Sequence, residues 1–316
     1  GETQVAVADS CGGFKAMPRM AVDVLRLFKG CENVIMMPAN RGLRFFAPLF
    51  LTYNKFYRRR IHYIVIGGWL DTFLESHKWL VGLLKKFDAI YVESETMKAA
   101  LCERGFDNAV VMHNFKKLHS LSENELEYPD DEPYKLCTFS RVMKEKGIED
   151  AIDAVKTVNS RLGRTVYTLD IFGQVDKDYE ERFSELKKTF PDFIRCGGAI
   201  AADRSTETLK SYFALLFPTY YRGEGFAGTL IDAMSAGVPA IASDWKYNSE
   251  FVVSGRTGVI IENCNSEKLA KVLADIADNP EKWNSMRLSA LREAEKYSPE
   301  KASRPLIDRI NGRDCL

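Results

Sequence analysis

No Cys-x-x-Cys pair occurs among the seven cysteines of this chain, Cys11, Cys31, Cys102, Cys137, Cys196, Cys264 and Cys315. Their odd number and scatter argue against a disulfide framework, and several lie inside apolar runs, as small buried side chains of a reducing cytosol do. Histidine is scarce as well: there are four, dispersed, with no cluster at metal-ligand spacing. No uncharged apolar run reaches the thickness of a bilayer, and the opening residues lack the pattern of a secretory leader. Net charge is missing too: 44 Lys and Arg balance 44 Asp and Glu over 316 residues, which argues against nucleic acid as the main partner. Repeats and low-complexity stretches are absent. No Gly-x-Gly-x-x-Gly follows the first expected strand, where Cys11-Gly12-Gly13-Phe14-Lys15-Ala16 has the wrong spacing for a nicotinamide dehydrogenase. The expectation that remains is a cytoplasmic globular chain, 46% hydrophobic and long enough for two domains.

Short β-branched runs alternate with helical periodicity from one end to the other, the pattern of parallel sheets covered by helices. Strands are expected at 5–8, 33–37, 61–66, 89–92 and 109–112, with helices at 20–28 and 96–104. Residues 116–134 are polar, acidic and aperiodic, and read as a linker. Beyond it, strands are expected at 136–139, 165–172, 214–217, 239–243 and 258–261. Between them, Ile148, Ile152, Val155, Val158 and Leu162 mark one helix face, and Tyr179, Phe183, Leu186 and Phe190 another. Leu269, Val272, Leu273 and Ile276 mark a third, and Pro280 opens a further helix. Two doubly wound α/β domains follow, one of residues 1–117 with a tail of about 300–316, the other of residues 118–299. Such sheets bind ligands beyond the carboxyl ends of their strands, and loops from two facing domains would enclose a cleft there. Gly12-Gly13, Gly67-Gly68-Trp69, Ser140-Arg141 and Gly173 all follow expected strands.

The densest signal is Gly223-Glu224-Gly225-Phe226-Ala227-Gly228-Thr229-Leu230-Ile231-Asp232-Ala233-Met234. Two carboxylates flank a glycine-rich turn that runs into a helix. Gly225 and Gly228 let the backbone approach a ligand, and the amides of residues 226 to 229 are those a helix N-terminus leaves unpaired, which attract phosphate. Asp232, one turn in, leans back over Gly228 and can accept hydrogen bonds from hydroxyls beside that phosphate. Taken alone, the segment also fits a glycine-rich turn with two incidental acids. A second loop, Phe139-Ser140-Arg141-Val142-Met143-Lys144-Glu145-Lys146-Gly147-Ile148, carries Arg141, a planar fork for phosphate oxygens, and Lys146, a point charge. Both are expected to be solvated until a ligand arrives, and cations fixed at a departing diphosphate would stabilise the transition state.

These pieces resemble, in order, the signatures of family 4 of the retaining glycosyltransferases, of the bacterial surface-polysaccharide type. Ser140-Arg141 to Lys146-Gly147 is similar to a Gly-Arg-Leu…Lys-Gly element, with Ser140 replacing Gly. Ile171-Phe172-Gly173 is similar to the apolar strand with its Gly, and Gly198-Ala199-Ile200 to a loop near the base. Glu224 to Asp232 resembles a Glu-x7-Glu element, with Asp232 one methylene shorter than the usual Glu. Ala233-Met234-Ser235-Ala236-Gly237-Val238-Pro239 resembles its continuation, and Glu250 through Gly255-Arg256-Thr257-Gly258 the element after it. The likeness is close over about residues 136 to 262 and a matter of layout alone before that.

The resemblance implies the α/β fold called GT-B, two doubly wound Rossmann-like domains facing a central cleft. It implies a retaining, metal-independent enzyme without cofactor, moving a sugar from a nucleotide-diphosphate sugar, UDP favoured, to a glycan acceptor, often lipid-linked, in polysaccharide or glycoconjugate synthesis. In that pattern Arg141 and Lys146 bind the diphosphate and Glu224 holds hydroxyls of the transferred sugar. Asp232 holds the ribose, and Phe226, Ala227, Gly228 and Thr229 lend backbone amides. Ala199 and Ile200 meet the base, and Gly173 and Gly13 belong to the donor loops. No family histidine is found in the amino-terminal half, since His62 precedes the strand core and His77 lies beyond it. Gly68 and Trp69 stand in that loop, where the indole packs either on an acceptor sugar or on its own loop. A non-catalytic nucleotide-sugar-binding accessory protein and a GT-B sugar-nucleotide epimerase are the alternatives. Residues 45 to 60 leave two readings open. With Pro48 in a first helical turn, Leu49, Phe50, Tyr53, Phe56 and Tyr57 share a face beside Lys55, Arg58 and Arg59. That face suits either the interface of an anionic membrane, with the protein peripheral on its inner side, or the cover of a sheet.

Overall fold

The computed structural model describes residues 5–8, 17–115, 120–262 and 264–313. Their contacts divide the chain into two compact units, residues 1–114 with 303–316, and residues 115–302. The first holds a four-stranded parallel sheet of β1 (Asn33–Met36), β2 (Arg60–Ile64), β3 (Ala89–Val92) and β4 (Ala109–Val111), in that order. The chain returns to this unit at its end, where Leu306 packs against Ala89, Tyr91 and Met112.

The segment 5–8 departs from expectation. It has no regular structure, and Val5 and Val7 are exposed. Alternating Val and Ala are compatible with a strand, but a strand needs a ladder partner, and among the described residues β1 pairs only with β2. The helix Asn40–Tyr57 departs differently, because it starts well before Pro48 and holds that proline in its interior. Its Phe50, Tyr53 and Tyr57 pack around Phe28, and Tyr53 Oη donates to the Ala21 carbonyl. The aromatic face therefore covers protein, and of the five residues read on it only Phe56 is exposed. Among the described residues no helix is long and apolar enough to cross a membrane.

His62 is fully buried in β2. Its Nε2 lies 3.2 Å from Asn33 Oδ1 and its Nδ1 3.3 Å from Tyr91 Oη, a pattern one neutral tautomer satisfies. Burial lowers its pKa below 6.5; Asp88 opposes the shift, and Arg309 and Arg60 add to it. A lowered histidine pKa means that the unfolded chain binds the proton first. The stabilisation is then complete above about pH 6.5 and is lost as pH falls toward the folded value. Melting temperature should accordingly drop between pH 7 and pH 5, and the drop should be smaller in His62→Gln. Parallel pH profiles for the two proteins would refute this origin.

The second unit holds a six-stranded parallel sheet of β5 (Tyr134–Phe139), β6 (Tyr167–Phe172), β7 (Ile194–Gly198), β8 (Ala214–Phe217), β9 (Ala240–Ser243) and β10 (Gly258–Ile261), ordered β10-β9-β8-β5-β6-β7. Its strands β8 and β9 are buried along their whole length because helices cover both faces. Ala214 and Leu216 face one cluster, with Val155 and Leu273, and Leu215 and Phe217 face another, with Leu230 and Met234. β7 was not anticipated from sequence. Only Ile194 is buried in this edge strand, and Gly197-Gly198 end it, so no apolar alternation marks it. The strand order reverses at β5, which has β6 on one side and β8 on the other. The loops leaving β5 and β8 thus diverge from adjacent strand ends, the place where open parallel sheets bind ligands.

Candidate active site

The loop leaving β5 is set by two close backbone approaches. Gly173, just past β6, has φ +138°, and a Cβ there would fall 1.8 Å from the Ser140 carbonyl oxygen. Gly147 has φ +71°, and a Cβ there would fall 2.3 Å from the Pro218 carbonyl oxygen, beyond β8. Only glycine allows both crossings. The second brings the turn Lys144–Lys146 against the β8 loop, where the Tyr220 amide donates to the Glu145 carbonyl at 2.8 Å.

Lys146 Nζ then donates to Glu224 Oε2 at 2.6 Å, with the side chains 12% and 8% exposed. The ammonium also lies 5.3 Å from the Phe217 ring centre and 5.4 Å from that of Tyr221. Charges this removed from water persist only when paired, and the two rings add attraction to the cation. The expectation of a solvated Lys146 is thereby corrected: the lysine is inside the loop pair, held by the acid. Arg141 does meet the expectation, since its side chain is 58% exposed and among the described residues its one ion pair is a long one, 3.4 Å to Asp176 Oδ2.

Past Glu224 the chain turns through Gly225 to the helix Gly228–Ser235. Phe226 packs edge-on against Phe251 and Tyr297, Ala227 is buried, and Thr229 Oγ1 donates to the Phe139 carbonyl at the end of β5. The helix has no side-chain cap, so its first amides and the positive end of its dipole lie beside the β5 loop. Asp232 is 4% exposed and accepts from Ser205 Oγ at 2.9 Å. Past β7, Ala199 is exposed and Ile200 packs against the apolar cluster under the sheet.

One unit thus brings together Arg141, Lys146, Gly173, Ala199, Ile200, Glu224, Phe226, Ala227, Gly228, Thr229 and Asp232 on strand-end loops and one helix start. Gly68 and Trp69 belong to the other unit. Trp69 Nε1 donates to the Ile66 carbonyl at 2.8 Å and its ring packs on Phe73, which is the loop-packing alternative. Gly13 lies outside the described residues. Sequence reasoning passed over Thr219 and Ser205, the hydroxyls bonded to the two acids, whose only signal was a place near a strand or helix end. It also passed over His113, two residues past β4, with Nδ1 2.9 Å from the Glu93 carbonyl. Among the described residues no three His, Cys, Asp or Glu side chains are grouped as a metal ion would require.

Two parallel-sheet α/β units of this kind make up the GT-B class of glycosyltransferases. The Anabaena protein Alr3699/HepE, solved in complex with UDP, superposes with a TM-score of 0.75 over 93% of this chain and 82% of its own, at 15% identity. The chain belongs to the glycosyl transferases group 1 family, whose model matches residues 123–292. It is 28% identical over 202 residues to the UDP-N-acetylglucosamine–peptide N-acetylglucosaminyltransferase GtfA subunit of Streptococcus parasanguinis, covering 61% of this chain and 38% of that one. It is 28% identical over 170 residues to the poly(glycerol-phosphate) alpha-glucosyltransferase of Bacillus subtilis, covering 53% of this chain and 24% of the relative.

Proposed function

We propose that this protein is a retaining, metal-independent glycosyltransferase that moves a sugar from a UDP-sugar to a glycan acceptor in polysaccharide or glycoconjugate synthesis. The observation that carries this reading is the buried Lys146–Glu224 pair at the point where the strand order reverses, beside Arg141 and an uncapped helix start. UDP is favoured because HepE was solved with it and the GtfA relative is named for a UDP-sugar. Arg141 and Lys146 hold the diphosphate as its charge grows, together with the amides of residues 226 to 229. Glu224 orients the hydroxyls of the departing sugar, Asp232 the ribose, and Ala199 and Ile200 the base. The acceptor hydroxyl attacks on the face the diphosphate leaves, a phosphate oxygen takes its proton, and the protein contributes position and fixed charge. Membrane delivery of the acceptor has no part in this reading, because the aromatic face that suggested it is packed on Phe28.

UDP should raise the melting temperature, UDP-glucose or UDP-N-acetylglucosamine should release UDP, and EDTA should leave that release intact. The product anomer seen by NMR should match the donor. An inverted product, or no response to any UDP compound, would refute the reading. Asp232→Ala should weaken UDP binding by roughly tenfold or more, the loss of hydrogen bonds to a charged group. Asp232→Glu restores the commoner family residue but forces a methylene into a site that is 4% exposed and already joined to Ser205. Overpacking there should cost about 1 to 3 kcal/mol. Calorimetry with UDP and thermal melts check the pair.

A further inference from the structure

We infer that Thr219 is the positioning residue that decides which oxygen of Glu224 meets the transferred sugar, an inference that rests on the glycosyltransferase reading above. Both hydrogen bonds to the Glu224 carboxylate, from Lys146 Nζ and from Thr219 Oγ1 at 2.9 Å, fall on Oε2 and neither on Oε1. Thr219 has one hydroxyl hydrogen and two acceptors in reach. The Glu145 carbonyl is farther, at 3.3 Å, and neutral, so the shorter, charge-assisted bond to Glu224 takes the proton. The same oxygen accepts from the Tyr221 amide at 3.2 Å, and the Thr219 carbonyl accepts from Ser243 Oγ at 2.5 Å. The residue is fully buried. Its main chain and its hydroxyl are thus both fixed, which is what a preorganised support requires.

The two partners of Oε2 differ in what a donor does to them. Lys146 is a cation that a diphosphate attracts, and its bond to Glu224 lengthens or breaks when phosphate oxygens compete for it. Thr219 has no charge to offer a phosphate. It keeps Oε2 on the protein side and leaves Oε1 turned to the sugar hydroxyls through the reaction.

Thr219→Val keeps the shape of the side chain and removes the hydroxyl. Its kcat for UDP release from UDP-glucose or UDP-N-acetylglucosamine should fall on the order of 10- to 100-fold, as for a lost bond to a charged group. The Kd for UDP should stay within about twofold, because UDP has no transferred sugar, and Thr219→Ser should recover most of the rate. On a Glu224→Gln background the valine should add little, since residues acting through one group are not additive. If Thr219→Val does not fold, Thr219→Ala against Thr219→Ser makes the same comparison. Wild-type turnover matched by the hydroxyl-less variants, or an undiminished effect on the Glu224→Gln background, overturns the inference alone. Wild type that releases UDP from no UDP-sugar overturns the function reading and this inference with it.

Discussion

Lys146→Ala will lower turnover by roughly two orders of magnitude and destabilise the protein as well, whereas Arg141→Ala will lower turnover with an unchanged melting temperature. On the proposed reading each removes one cation from a departing diphosphate, a loss of about 3 kcal/mol in the transition state. Their surroundings separate them. Lys146 lies in a buried pair, so its removal leaves Glu224, 8% exposed, short of its counterion. Breaking such a pair costs about 3 kcal/mol of stability. Arg141 is largely in water, where a single substitution changes stability by about 0.5 kcal/mol or less. Adding Glu224→Gln to Lys146→Ala should recover part of the lost stability and none of the activity. Rates of UDP release and thermal melts on the four proteins check this. Equal melting of the two single variants would mean that the lysine is solvated after all.

The second large effect is on folding. Gly173→Ala would put a methyl group 1.8 Å from the Ser140 carbonyl oxygen at a φ of +138°. Overpacking and backbone strain together should cost about 4 kcal/mol, or roughly 10 °C in melting temperature for a unit of this size. Gly228→Ala is the control, since a Cβ there meets nothing within 4 Å. It should melt with the wild type. The reverse order would show that Gly173 has room to relax and that the loop crossing is not what requires glycine.

Much of the second unit could be read from local pattern. Continuous apolar runs such as 214–217 mark strands buried on both faces, and the stripe from Ile148 to Leu162 marks a helix, because each pattern lies within a few residues. The two acids and the two cations were also legible, since each pair lies within one short segment of the chain. That Lys146 reaches Glu224 was not, because the bond spans 78 residues and depends on β8 pairing beside β5, a choice no local spacing encodes. The same limit hid the bond from Ser205 to Asp232, 27 residues apart, whereas Thr219 lies only five residues before Glu224 and was missed because spacing does not say which way a loop side chain turns. β7 escaped notice for a different reason: one buried residue and two glycines leave no period to detect. At Val5 and Val7 the composition suited a strand, but pairing is a property of two segments, and composition describes one.

The sheet order also has an evolutionary consequence. The cations, Glu224 and the helix start gather at its centre, around β5 and β8, where strands are paired on both sides and a shift in one is felt by all. Ala199 and Ile200 follow β7, the outermost strand, which has a neighbour on one side only. Substitutions or insertions there would leave the central ladder in register. On the proposed reading, reaction chemistry and base preference would thereby be mechanically decoupled, so that descendants of this chain could change the nucleotide they accept while the machinery that splits off the sugar stayed as it is.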